Sequence, residues 1–150
     1  MITAPVKPVI VPPHMPLADI ELLRTAEELL ARVWVDGRHQ VATALRATDG
    51  KIYTGVHLEG SCRRSSICAE GVAMGTARAG LDPSAVLSIE AVVSVQIKPP
   101  DQFRIIAPCG VCRELISDYS PDTRVWLTSD AGNHAMAAQD LLPCKTRRTW

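Results

Sequence analysis

Cys68, Glu70, Cys109 and Cys112 are the residues of this chain whose types and spacing can do chemistry. They fall in two short stretches, Ile67-Cys68-Ala69-Glu70 and Pro108-Cys109-Gly110-Val111-Cys112. Two thiols three positions apart at a helix start can aim their sulfurs at one point, and Cys68, opening another helix, can supply a third. Zinc takes soft thiolates tetrahedrally, and three protein ligands leave the fourth position for water, as in a catalytic site rather than a closed structural one. One zinc per chain is the expectation. By formal counting zinc with three thiolates carries about −1, which makes a bound water less acidic, but two helix N-termini of roughly half a positive charge each oppose that. Arg113, next to the last of the three cysteines, can add to them. Glu70 is too close in sequence to Cys68 to be an obvious fourth ligand, yet it can reach a water at the open position and move its proton.

Two other uses of the cysteines stand beside this one. A structural zinc site would need a fourth ligand such as Cys62, Cys144 or a histidine, and the carboxylate two positions after Cys68 argues against it. A redox pair at Cys109 and Cys112 would leave Cys68 and Glu70 without a role. Cys62 and Cys144 read as ordinary thiols.

Composition limits what such a site can serve. With 150 residues, 47% of them hydrophobic, the chain can bury one core. Lys plus Arg and Asp plus Glu number 16 each, so no bulk field is available to hold nucleic acid or an anionic membrane, and a small substrate fits better. No apolar run is long enough to span a bilayer and Met1 to Pro16 lacks the features of a secretory signal, so a cytoplasmic protein with reduced thiols is expected.

The elements that must position the four residues can be read in outline. Residues 1–16 hold five of the eleven prolines and form an extended arm, packed on a neighbour or loose, ahead of one zinc-binding domain over 17–150. Ile20, Leu23, Ala26, Leu30 and Val33 trace a helical stripe from Leu17 to about Val35, with Asp19 as its expected cap and Trp34 as core packing. Residues 40–47 and 51–58 form a hairpin about Asp49-Gly50. A helix over 68–79 is rich in small residues and stops at Gly80, and a second cysteine-bearing helix spans 109–119. Between them Ala91-Val92-Val93 marks a central strand covered on both faces, with a short ordered stretch at 103–107 after the Pro99-Pro100 break. Residues 124–128 and, more weakly, 134–138 add strands. This order gives an α/β sandwich of three layers, helices on both faces of a mixed sheet.

The paired motifs resemble those of the small homotetrameric cytidine deaminases and the related blasticidin S deaminases, and the likeness runs from about Gln40 to Pro143. A cysteine with a glutamate two positions on, followed by Pro-Cys-x-x-Cys, is the signature of zinc nucleobase deaminases. The resemblance implies a five-stranded mixed sheet, zinc on Cys68, Cys109 and Cys112, Glu70 as proton shuttle, and active sites at subunit contacts in a homotetramer. It places Ala69 among the substrate contacts. Where the family commonly has an Asn and a Glu that hold the ribose, this chain has His57 and Glu59, and His39 stands where an aromatic residue often lies near the base. Gly71 replaces an arginine that often follows the catalytic glutamate. Trp150, at the chain end, either folds over a neighbouring site and stacks on the substrate or is an untethered terminus. The expected reaction converts cytidine or deoxycytidine to the uracil nucleoside and ammonia. The alternatives are a modified cytosine nucleoside such as blasticidin S and, in another class, a non-catalytic zinc protein.

Overall fold

The computed structural model describes residue 2, residues 4–98 and residues 101–149, so Trp150 and the Pro99-Pro100 break lie outside the described residues. Gly50 takes φ of 81°, a left-handed conformation that glycine adopts without a Cβ penalty, and so closes the hairpin of β1 (Val41–Ala47) and β2 (Ile52–Val56). β1 pairs antiparallel with β2 on one side and with β3 (Ile89–Ile97) on the other. β3 runs parallel to β5 (Arg124–Ser129), and β5 pairs antiparallel with β6 (Gly132–Ala137). The main path is therefore β2-β1-β3-β5-β6, the expected five-stranded mixed sheet, with one addition. A short strand, β4 (Phe103–Ile105), also pairs with β3, through Val95 to Ile97, whereas β5 uses Ala91 to Val93. The nine residues of β3 are long enough to serve both partners.

Alternation along the strands separates two apolar layers. Ala42 and Ala44 of β1 and Ala91, Val93 and Val95 of β3 face α1 (Leu17–Val33), whose Leu22, Leu23, Ala26 and Leu30 are fully buried. Leu45, Val92, Val125 and Leu127 face the other way. They pack on Ala73, Met74 and Ala77 of α2 (Ala69–Gly80) and on Ile116 of α3 (Gly110–Tyr119). Three layers result, with the central strand β3 covered on both faces. Truncating any of the buried leucines of α1 to alanine would cost about 2–5 kcal/mol.

Two expectations change. Asp19 does not cap α1: Pro16 holds the cap position without a side-chain bond, and the Asp19 carboxylate turns inward and is wholly buried. There it accepts hydrogen bonds from Arg46 Nη2 at 2.6 Å, Arg124 Nε at 2.6 Å and Trp126 Nε1 at 2.7 Å. Cations on β1 and β5 win it from the helix end, because a buried carboxylate needs charge-assisted partners more than an exposed N-terminus needs a cap. The N-terminal arm lies on its own chain. Lys7 bridges to Gln102 beside β4, Val9 and Met15 are buried, and the Val9 N–H donates to Glu27 Oε1 at 2.7 Å. Trp34, directly after α1, packs against the α1-side core as expected.

Burial alone would raise the Asp19 pKa, but the bonds from Arg124, Arg46 and Trp126 outweigh it and hold the group below the ordinary aspartate range. A depressed folded-state pKa stabilises the fold above the unfolded value and loses that contribution as pH falls through the folded one. Asp19→Asn is expected to cost about 3 kcal/mol in urea unfolding at pH 7 and to flatten the stability loss below about pH 4. A variant of unchanged stability and unchanged acid sensitivity would remove this role.

Candidate metal centre and active site

Cys68 and Cys109 are the residues immediately before α2 and α3, so both sulfurs sit at helix N-termini, where unpaired backbone N–H groups favour negative charge. α2 can begin where it does because β2 yields space at Gly55. A Cβ there would run into the backbone of Ala69 and Ala73, so the helix start presses directly on the strand. Cys112 lies in the first turn of α3 and is buried, Cys68 is half-buried and Cys109 is exposed.

The Cys109 sulfur is 3.6 Å from that of Cys68 and 3.6 Å from that of Cys112, and all three lie within 4.8 Å of one another. A tetrahedral zinc with Zn–S of about 2.3 Å spaces its sulfurs about 3.8 Å apart, so the cluster fits the ion in both donor chemistry and spacing. Among the described residues no fourth Cys, His, Asp or Glu joins the group, and Cys62 and Cys144 are free and exposed. The exposure of Cys109 leaves one side of the cluster toward solvent.

Burial pushes the Cys68 thiol up to about 11, with its hydrogen bond to Cys109 adding to the rise. Burial, then the Glu70 carboxylate and the two neighbouring sulfurs, also push Cys112 above the ordinary thiol range. Cys109 differs: burial opposes its ionisation, but the backbone N–H of Cys112, the Cys112 and Cys68 thiols and the Val111 N–H more than offset it and lower its pKa. The metal-free cluster therefore keeps protons on Cys68 and Cys112 at neutral pH.

Glu70 lies in the first turn of α2 and is buried. Its Oε2 accepts from Cys112 Sγ at 3.4 Å and its Oε1 from Ser94 Oγ at 3.1 Å. Ser94 in turn is 2.7 Å from Thr43 Oγ1. Neither hydroxyl was among the expected site residues. The signal for them was faint, one polar residue within each of the apolar runs Ala42-Thr43-Ala44 and Val93-Ser94-Val95, and only the β1–β3 register sets the two opposite each other.

Arg113, expected to add positive charge near the sulfurs, is held by two backbone carbonyls. Its Nε donates to Pro108 O at 2.9 Å and its Nη1 to Leu141 O at 3.4 Å, so it ties the turn before Cys109 to the segment after β6. His39, His57 and Glu59 gather at the far end of the hairpin. His39 Nδ1 is 3.0 Å from His57 O, and His57 Nε2 is 3.2 Å from Glu59 Oε2. Ser66 Oγ donates to Glu59 Oε1 at 2.8 Å, and Leu58 bridges Ile67, which brings this group beside the approach to Cys68. Ala69 is fully buried. Trp150 lies outside the described residues.

Residues 17–128 match the family model described as the cytidine and deoxycytidylate deaminase zinc-binding region. The chain belongs to this family. It is 33% identical over 134 residues to the blasticidin-S deaminase of Bacillus cereus, covering 87% of this chain and 93% of that one. The cytidine deaminase of Halalkalibacterium halodurans is 31% identical over 108 residues, covering 71% and 76%. The crystal structure of cytidine deaminase from Burkholderia pseudomallei superposes with a TM-score of 0.67 at 27% identity, over 85% of this chain and 98% of that one. As a member of the cytidine and deoxycytidylate deaminase family, the chain is a zinc-dependent hydrolytic deaminase of α/β fold. Among the described residues no helix is long and apolar enough to cross a membrane.

Because Cys68 and Cys112 hold protons in the metal-free state, zinc uptake must displace them. Calorimetric titration of metal-free protein in buffers of different ionisation enthalpy is expected to show more than one proton released per zinc, with about one zinc per chain and affinity falling as pH drops. Uptake without proton release would contradict these thiol states.

Proposed function

We propose that the chain deaminates a cytosine nucleoside hydrolytically, cytidine or deoxycytidine plus water giving the uracil nucleoside and ammonia. The observation that carries this reading is the buried Glu70 carboxylate 3.4 Å from a sulfur of the three-cysteine cluster, at the meeting of two helix starts. Cys68, Cys109 and Cys112 are the zinc ligands. Zinc held there would supply Lewis-acid activation of a water, the nucleophile toward C4 of the ring.

Glu70 does the proton work. It accepts the proton that the attacking water loses and passes it to the ring N3, which removes the aromatic resistance to addition at C4. It then takes the proton of the new hydroxyl and gives it to the departing amine. Its burial shortens the list of competing proton acceptors. Ala69, Glu59, His57 and His39 form the rest of the substrate contact, with Glu59 accepting from sugar hydroxyls while His57 and Ser66 hold its carboxylate. Arg113 keeps the Pro108-Cys109 turn in place. The reading includes active sites completed at subunit contacts of a homotetramer, with Trp150, outside the described residues, as a further substrate contact.

A second reading takes a sugar-modified cytosine nucleoside, such as blasticidin S, as the substrate. The relative named for that activity matches 87% of this chain, against 71% for the Halalkalibacterium cytidine deaminase. The ring chemistry is the same in both readings.

Glu70→Gln is expected to keep zinc and fold while losing turnover by about 10²–10⁴-fold. Ammonia release from cytidine, deoxycytidine, cytosine and blasticidin S distinguishes the two substrate readings. Wild-type turnover in Glu70→Gln, or no ammonia from any of the four, would overturn the proposal.

A further inference from the structure

Glu70 sits at the end of a buried chain of hydroxyls that the zinc chemistry alone does not require. Ser94, in the middle of β3, donates to Glu70 Oε1 at 3.1 Å, and Thr43, opposite it on β1, lies 2.7 Å from the same Ser94 oxygen. All three side chains are buried, Thr43 completely. A hydroxyl has one hydrogen, and that of Ser94 goes to the carboxylate, so the hydrogen between the two hydroxyls belongs to Thr43. The chain runs in one direction, Thr43 to Ser94 to Glu70, and each donor polarises the next.

The two oxygens of Glu70 are therefore held unequally. Oε2 receives its bond from Cys112 Sγ. A sulfur that has given up its proton to a metal cannot donate, so that bond ends when the cluster is loaded. The bond from Ser94 does not depend on the cluster. Ser94 is anchored in the best-covered strand of the sheet, whereas Glu70 rides on the first turn of a helix.

We propose that Ser94 is a positioning residue for Glu70 and that Thr43 backs it. Ser94 pins Oε1 so that Oε2 is presented to the reacting atoms each time a proton must be taken or given. A carboxylate free to rotate about its terminal bonds would spend part of its time misdirected, and in a proton relay that time is lost from kcat rather than from substrate binding. The inference rests on the proton role proposed above for Glu70.

Ser94→Ala removes the donor and adds no volume. It is expected to lower kcat on the order of tenfold, with KM and zinc content unchanged. Ser94→Thr, which keeps a hydroxyl on a β-branched side chain suited to a strand, restores most of the loss, and Thr43→Val gives a smaller loss than Ser94→Ala. On a Glu70→Gln background Ser94→Ala adds nothing further, because the group it positions is already gone. The infrared carboxylate band assigned to Glu70 by difference against Glu70→Gln shifts in Ser94→Ala. Unchanged kcat in Ser94→Ala, a loss that multiplies with that of Glu70→Gln, or an unmoved band would overturn the inference while an inactive Glu70→Gln leaves the proton role standing. Full activity in Glu70→Gln itself overturns the proton role and takes the inference with it.

Discussion

Three sulfurs can meet here only because two helices begin at the same place over one sheet. Cys68 and Cys109 are 41 positions apart, and what joins them is the strand between their helices. The chain leaves α2, crosses the centre of the sheet as β3, and then turns through β4 to start α3 beside the start of α2. Gly55 sets how close α2 lies to β2, and a side chain there would push back the residues that carry Cys68 and Glu70. The third sulfur follows from helix geometry, since Cys112 comes less than one turn after Cys109.

That convergence gathers negative charge that the protein alone tolerates poorly. Burial keeps two of the three thiols protonated, with Cys109 adding to it at Cys68 and with Glu70 and the neighbouring sulfurs adding to it at Cys112. A divalent cation removes the conflict, and the helix starts behind Cys68 and Cys109 favour the ionised sulfurs. The same proximity sets Glu70 against the cluster, its Oε2 3.4 Å from Cys112 Sγ, which is the basis of the proton role proposed for it. A second buried carboxylate, Asp19, is handled in the opposite way, neutralised by Arg46 and Arg124 on the other face of the sheet, where it stabilises the fold.

Local patterns made much of this legible in the sequence. Asp49-Gly50 marked the hairpin because a positive φ there needs glycine, and Ala91-Val92-Val93 marked a strand buried on both sides because no polar residue alternates through it. The cysteine spacings identified the site because ligand geometry tolerates few others. What escaped depends on partners far along the chain. Asp19 reads as a helix cap until Arg46, Arg124 and Trp126 are seen around it, and the carbonyls of Pro108 and Leu141 that hold Arg113 are set by the fold and not by any local pattern. The short β4 has too few residues to alternate visibly. Ser94 and Thr43 acquire meaning only from strand register, which no single stretch of sequence carries.

If the three-cysteine cluster and Glu70 together add water to a cytosine ring, the oxygen of that water ends in the product, and turnover of cytidine by the zinc-loaded protein in ¹⁸O-labelled water, followed by mass spectrometry, shows whether it does. One labelled oxygen is expected in each uracil nucleoside formed, with one ammonia released beside it, and both are lost when zinc is chelated. Turnover that continues undiminished in the metal-free protein, or product without the label, would contradict it.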